Sequence, residues 1–160
     1  MEDDKWPRVR LEIGLPVARG VNLYVPIPES VQYIRRDIPL LPSKSLALGR
    51  VVFTLERRSG ELIGIHSYVK TSRWKTEVNE SPPEPDAEGA LFLEYPSEKD
   101  LVFLKAEPSF RYHDDLGALR ISFRDTTRLV FKVADCLLVG ADEKRRLTEL
   151  WMLDLPLAVE

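Results

Sequence analysis

His113-Asp114-Asp115 sets an imidazole beside two carboxyl groups, residue types that could hold a metal ion or relay a proton. A metal centre needs three or four ligands converging on a point. Neighbouring residues of a strand point to opposite faces, so His113 and Asp114 diverge unless a turn intervenes. The only other histidine, His66 in "IGIHSY", lies far away in sequence. The stretch "FRYHDDLGALRISF" also alternates on both sides of the triplet. Phe110 and Tyr112 alternate with Arg111 and His113, then Leu119, Ile121 and Phe123 with Arg120, Ser122 and Arg124. Asp and Gly supply the turn between them, Asp by bonding nearby backbone and Gly by accepting positive φ. The expectation is a solvated hairpin corner with His113 at a strand end on the polar side.

Nucleophilic chemistry has less support. Cys136, the single cysteine, sits in the apolar run "ADCLLVG", whereas reactive thiols occupy electropositive, partly open surroundings. No Gly-x-Ser-x-Gly elbow occurs, and the eight glycines are dispersed with no phosphate-cradling loop. The reading is a non-enzyme with no catalytic residue, cofactor or metal; a hydrolase or metal enzyme using His113 and Asp114 ranks last.

The elements that would position these residues are strands. "VRLEI", "VNLYVPI", "ALFLEY" and "DLVFLKA" alternate with period two, and "GRVVFTLERRSGELIGIHSYV" reads as a hairpin turning at Arg57 to Gly60. "VNLYVPI" places Val21, Leu23, Val25 and Ile27 on one face, and "PSEKD" would turn a further hairpin. Twelve prolines discourage long helices; one short helical turn is expected in "PIPESVQYIRR", with Ser30 as its N-cap. "NESPPEPDAEG", residues 79–89, is acidic and proline-rich with no large apolar residue, and reads as an exposed loop or linker. It divides the chain into halves 1–78 and 90–160, read either as two units or as one pseudo-symmetric domain.

The halves resemble one another. "VVFTLERRSGELIGIHSY" (Val51 to Tyr68) lies over "CLLVGADEKRRLTELWML" (Cys136 to Leu153) without a gap, matching Phe53 with Leu138, Leu62 with Leu147 and Ile65 with Leu150. "GVNLYVPI" matches "LGALRISF" at a different offset. The comparison decides one ambiguity. "DEKRRLTELWMLDLP" alone could be a helix capped by Asp142, but its mate "SGELIGIHSYV" holds two glycines and β-branched residues, so both read as strands.

"YHDDLGALRISF" followed by "LVFKVADCLLVGADEKRRLTELWML" resembles the DUF2283 family of small bacterial and archaeal domains of unknown function. The likeness spans roughly Phe110 to Leu153 and, more faintly, Arg10 to Tyr68. Arg120 departs from it where an aromatic is common, as do Arg145-Arg146 in place of a glycine-containing turn. The resemblance implies small antiparallel β units in tandem and no activity.

Charge is uneven. Residues 1–78 carry 13 Lys/Arg against 9 Asp/Glu, net +4, and residues 79–160 carry 10 against 17, net −7. This is too mild to announce nucleic acid, which demands a concentrated basic face. No apolar run reaches the roughly 18 residues of a membrane span, the acidic start lacks a signal-peptide h-region, and a lone thiol suits a cytoplasmic location. Two binding surfaces are expected. The apolar end "LTELWMLDLPLAVE" cannot turn Trp151, Met152, Leu155 and Leu157 all inward from one strand, so these, with Trp74 in "KTSRWKTE", are candidate contacts for a protein partner or a homo-oligomer. Arg57, Arg58, Arg73 and Lys75 would form an anion or nucleic-acid patch if they shared a face. The expected protein is mainly β, antiparallel sheets and hairpins in two related halves with little helix. It would be a non-catalytic interaction module or complex subunit, or alternatively a nucleic-acid-associated accessory protein.

Overall fold

The computed structural model describes residues 2–36, 41–76 and 80–156. The chain is mainly β. Its strands are β1 (Arg8–Ile13), β2 (Gly20–Pro26), β3 (Glu29–Arg35), β4 (Ser43–Leu48), β5 (Val51–Glu56), β6 (Leu62–Tyr68), β7 (Lys75–Thr76), β8 (Ala87–Glu94), β9 (Leu101–Leu104), β10 (Ser109–His113), β11 (Ala118–Ser122), β12 (Leu129–Ala134), β13 (Leu137–Ala141) and β14 (Leu147–Met152). Two 3-10 turns, Glu2–Lys5 and Thr71–Arg73, complete the described elements, and no described helix is long and apolar enough to cross a membrane.

An eight-stranded sheet runs β1-β8-β12-β13-β14-β11-β10-β7, and a six-stranded sheet runs β2-β3-β6-β5-β4-β9. One strand order occurs in both, since β2-β3-β6-β5-β4 and β10-β11-β14-β13-β12 are the same path. The registers recur too. Tyr24 faces Val31, which faces Ser67; Tyr112 faces Leu119, which faces Met152. Even the register shift of the β5–β6 ladder, at Thr54/Leu55, returns in β13–β14 at Gly140/Ala141.

Each strand turns alternate residues toward the other sheet. Val31, Tyr33, Leu46, Leu48, Phe53 and Ile65 thus meet Leu119, Ile121, Phe131, Val139, Leu150 and Met152 in one buried core. The Phe53 and Phe123 rings, 6.1 Å apart, bridge the layers. Asn22 and Ser67 are polar residues on the inner side. The Asn22 amide nitrogen donates to the Cys136 carbonyl at 2.8 Å and the Leu153 carbonyl at 2.6 Å, tying β2 to the opposite sheet.

Several expectations need correction. "PIPESVQYIRR" holds no helical turn; Glu29–Arg35 is β3, and the chain reverses at Ile27-Pro28. "ALFLEY" and "DLVFLKA" do not form a hairpin, because β8 pairs with β1 and β12 whereas β9 lies parallel to β4 in the other sheet. The halves therefore exchange edges, β9 completing the first sheet of the N-terminal half and β1 and β7 extending the second. Topology matches β11 with β3 rather than with "GVNLYVPI", and Phe53 with Val139 rather than Leu138, because the two hairpin turns differ by one residue. Residues 79–89 are not a free linker either. Ala87 to Gly89 belong to β8, and the described residues before them form a strap.

Candidate interaction surfaces

Tracing one row of outward residues across each sheet shows two faces of opposite character. On the eight-stranded sheet the row is Lys75, Arg111, Arg120, Trp151, Leu138, Lys132 and Glu88. On the six-stranded sheet it is Leu23, Gln32, His66, Val52, Ala47 and Phe103. The first row carries four cations and the second none.

The cationic face is covered by the chain's own acidic segment. Glu80 reaches both Arg120, through an ion pair, and His113, whose Nε2 lies 3.4 Å from a Glu80 oxygen. At the other end the Asp86 N–H donates to the Val130 carbonyl at 2.7 Å, and its side chain accepts from the Val130 N–H at 2.8 Å. The strap thus runs from β11 to β12 across β14 and β13. Beneath it Trp151 is 2% exposed, packed with Ala118, Val130 and Leu138. Its ring stacks on His113 at 5.5 Å on one side, and the Arg120 guanidinium lies 5.5 Å from its centroid. Glu149, 4% exposed, accepts from the Trp151 indole N–H, the Thr127 hydroxyl and Arg120 at 3.2 Å. Burial of this acid is tolerable because each oxygen has a donor and a cation stands beside it.

His113 is therefore not a solvated corner. It is 2% exposed beneath the strap, while Asp114 and Asp115 remain in solvent at the turn. A general base must come within hydrogen-bond reach of a substrate proton, and here the imidazole faces Trp151 and Glu80. Among the described residues no three His, Cys, Asp or Glu side chains converge on a metal position. Burial pushes the Cys136 thiol up to about 12, with the Asp135 charge adding to the effect, so thiolate is scarce near neutral pH.

The expected partner contacts lie inside the fold. Trp151, Met152 and Leu155 are all buried, so these three belong to the core rather than to an exposed contact surface. Met152 faces the other sheet and Trp151 faces the strap, so both sides of β14 are covered. The Leu155 N–H donates to the Gly117 carbonyl and its carbonyl accepts from the Tyr112 hydroxyl, which pins the segment. Leu157 falls outside the described residues. Trp74 is half-buried against β10, stacked on Phe110 at 6.2 Å and tilted against Tyr112. The expected basic patch does not assemble. Arg57, paired with Asp100 at 3.0 Å, and Arg58 occupy the β5–β6 turn. Lys75 shares a cleft with Arg50 at the opposite end of β5, roughly 17 Å of strand away. The Arg73 side chain is outside the description.

What the sequence reading missed is the uncovered face. Leu23 (39% exposed), Ile34 (42%) and Tyr68 (61%) stand on it, with Leu101 and Phe103 continuing it to the β9 edge. A shallow hollow of about 380 Å³ lies among Gln32, Ile34, Arg35, Thr54, His66 and Tyr68, where Gly64 contributes no side chain and Arg35 is paired with Glu61 at 3.0 Å. The available signal was the outward alternate positions of β2, β3 and β6, which hold no Asp, Glu, Lys or Arg: Val21, Leu23 and Val25, then Ser30, Gln32 and Ile34, then Gly64, His66 and Tyr68. No family model matches the chain, and no curated protein matches it.

Proposed function

We propose that the protein is a non-catalytic interaction module that pairs with a second copy of itself through the outer face of the six-stranded sheet. The supporting observation is the contrast between faces: the one rich in cations has its own acidic strap, and the one whose central row carries no charge is bare. An uncharged central row favours a like partner, since two copies meeting across it bring no like charges together, and Arg35 beside the hollow is paired with Glu61. Six strands spaced about 4.8 Å apart and about 17 Å long offer on the order of 500 Å² each, so a pair buries roughly 1,000 Å² in total. That is the lower limit for a specific contact, and the dimer is accordingly concentration-dependent. The recurrence of strand order and register supports reading the chain as a duplicated unit in which one copy gained a strap and the other kept its face for assembly.

Sedimentation velocity over a range of concentrations tests this. The wild type should shift toward twice 18.4 kDa as concentration rises, and Ile34→Glu should stay monomeric with unchanged far-UV circular dichroism. A wild type that remains monomeric to the millimolar range would sink the proposal.

A further inference from the structure

Where the β7 edge of the eight-stranded sheet meets the end of β6, a cleft of about 330 Å³ opens between residues of both sheets. Arg50, just before β5, and Val69-Lys70, just after β6, come from the six-stranded sheet. Trp74, Lys75 and Phe110 come from β7, β10 and the turn before β7, and Ala106 and Pro108 lie on the connection that crosses from β9 to β10. The ionisable side chains lining the cleft are Arg50, Lys70, Lys75 and Glu107, three cations against one acid. All four are exposed, and among the described residues none of the three cations makes an ion pair. Glu29 neighbours Lys70, but its carboxylate already accepts from the Thr71 N–H at 3.0 Å and the Tyr24 hydroxyl at 3.1 Å.

The rest of the lining is largely apolar. Val69 is buried and fixed by its N–H, which donates to the Glu29 carbonyl at 3.2 Å, and the Trp74 and Phe110 rings lie stacked 6.2 Å apart. One polar group in this wall has no partner. The Trp74 indole N–H is buried and meets no acceptor among the described residues, whereas the indole N–H groups of Trp6 and Trp151 donate to the Leu147 carbonyl and to Glu149. A buried donor left unpaired is destabilising, and an acceptor brought by a bound molecule recovers that loss. Trp74 is also the part of the wall best able to shift. It sits between a three-residue 3-10 turn and β7, whose ladder with β10 holds two residue pairs. The excess of cations selects an acid and the apolar lining selects a ring. A volume at the lower end of the range for small-molecule sites limits how large the pair can be.

We propose that this cleft binds a small aromatic acid, its ring against Val69, Pro108 and Phe110 and its anionic group among Arg50, Lys70 and Lys75, with the Trp74 indole N–H donating to it. Hydrogen bonds to an ionised acceptor are stronger than those between neutral groups, so the acid supplies most of the selectivity. Burial of the ring adds an undirected contribution proportional to its apolar area. The site goes beyond self-association and fails separately from it. No cleft residue belongs to the outer row of the six-stranded sheet, so Ile34→Glu, which removes the proposed dimer contact, leaves the cleft in place.

Proton–nitrogen correlation spectra of the isotope-labelled full chain, titrated with phenylacetate, phenylethanol and acetate, are the test. The three tryptophans give three indole N–H signals. That of Trp74, identified by its loss in Trp74→Phe, should move downfield to saturation with phenylacetate while those of Trp6 and Trp151 stay in place. Phenylacetate should bind at least about tenfold more tightly than phenylethanol or acetate. The double variant Lys70→Ala/Lys75→Ala, which alters exposed side chains alone, should weaken phenylacetate by about tenfold or more without lowering the melting temperature. Glu107→Gln should tighten it by removing the opposing charge. Phenyl phosphate in the same titration identifies the acid group, carboxylate or phosphate, as that of the tighter ligand. A Trp74 signal unmoved at millimolar phenylacetate, equal affinity for phenylethanol, or indifference to the double substitution would overturn the proposal.

Discussion

Arg120 stands between two acids, and the two contacts differ in depth. Glu80 and Arg120 retain 27% and 22% side-chain exposure, whereas Glu149 retains 6%. Replacing Glu80 by Gln removes a partly solvated pair and leaves Arg120 bound to Glu149. That cost lies above the 0–1 kcal/mol of a surface pair and below the 3–5 kcal/mol of breaking a buried one, so about 1–2 kcal/mol is expected. Arg120→Gln is different. It takes from Glu149 the single cation within 4 Å among the described residues and leaves a buried acid supported by Thr127 and Trp151 alone. The full cost of about 3–5 kcal/mol then applies. Urea unfolding followed by tryptophan fluorescence measures both, and hydrogen exchange of the 80–86 segment reports whether the strap opens first. Glu80→Gln should release the strap with a small global loss, and Arg120→Gln should lower the global midpoint strongly. Equal costs, or a larger one for Glu80→Gln, would refute the view that Arg120 serves the buried acid first and the strap second.

Asp142 gives a pH-dependent case. Burial opposes its ionisation, but hydrogen bonds from the backbone and side chain of Arg146 and the backbone of Lys144, with the Arg146 charge, hold its carboxyl below the usual carboxylate value. A depressed folded-state value contributes stability above the unfolded pKa, about 3.8, and that contribution disappears as pH falls through the folded one. Asp142→Asn should therefore be less stable at pH 7, and its deficit should shrink below about pH 3.8, as followed by thermal melts across pH. Cys136 should resist a thiol-specific reagent at pH 8 until the protein is unfolded, so that labelling tracks the unfolding curve; fast native-state labelling would contradict its burial. Gly49 has φ +61°, and a Cβ there would meet the Ala106 carbonyl oxygen at 2.3 Å, so Gly49→Ala should cost more than about 1 kcal/mol in a chemical melt.

Alternation made most of the strands legible, together with the β5–β6 and β10–β11 hairpins, because each has an inward and an outward series of residues. It could not tell which series faces inward. Val21, Leu23 and Val25 do share a face of β2, but it is the outer one. The inward side belongs to Asn22, whose amide satisfies two carbonyls of the opposite sheet. The same limit affected β14. Its apolar residues on both sides suggested a partner, and the actual cover is a segment with no large apolar residue, attached through carboxyl and backbone groups. The clue lay in charge, with Arg111, Arg120 and Lys132 at outward positions and Glu80, Glu84 and Asp86 in the strap. Strand pairing between distant segments leaves no local trace, which is why alternation alone pairs β9 with β8 rather than with β4.

The exchange of edges has a consequence for the order in which the chain is made. β1 cannot pair until β8 has been synthesised, and β4 keeps an open side until β9 follows. The Val9 N–H, moreover, is satisfied by the carbonyl of Arg145, and the Pro7 carbonyl by the N–H of Leu147. Residues near the start are thus seated against the last hairpin of the sandwich. During translation the chain must carry unpaired strand edges through most of its synthesis, a state prone to mispairing with neighbouring nascent chains. Ribosome-bound intermediates of this protein are therefore where a chaperone that shields bare β edges would matter most.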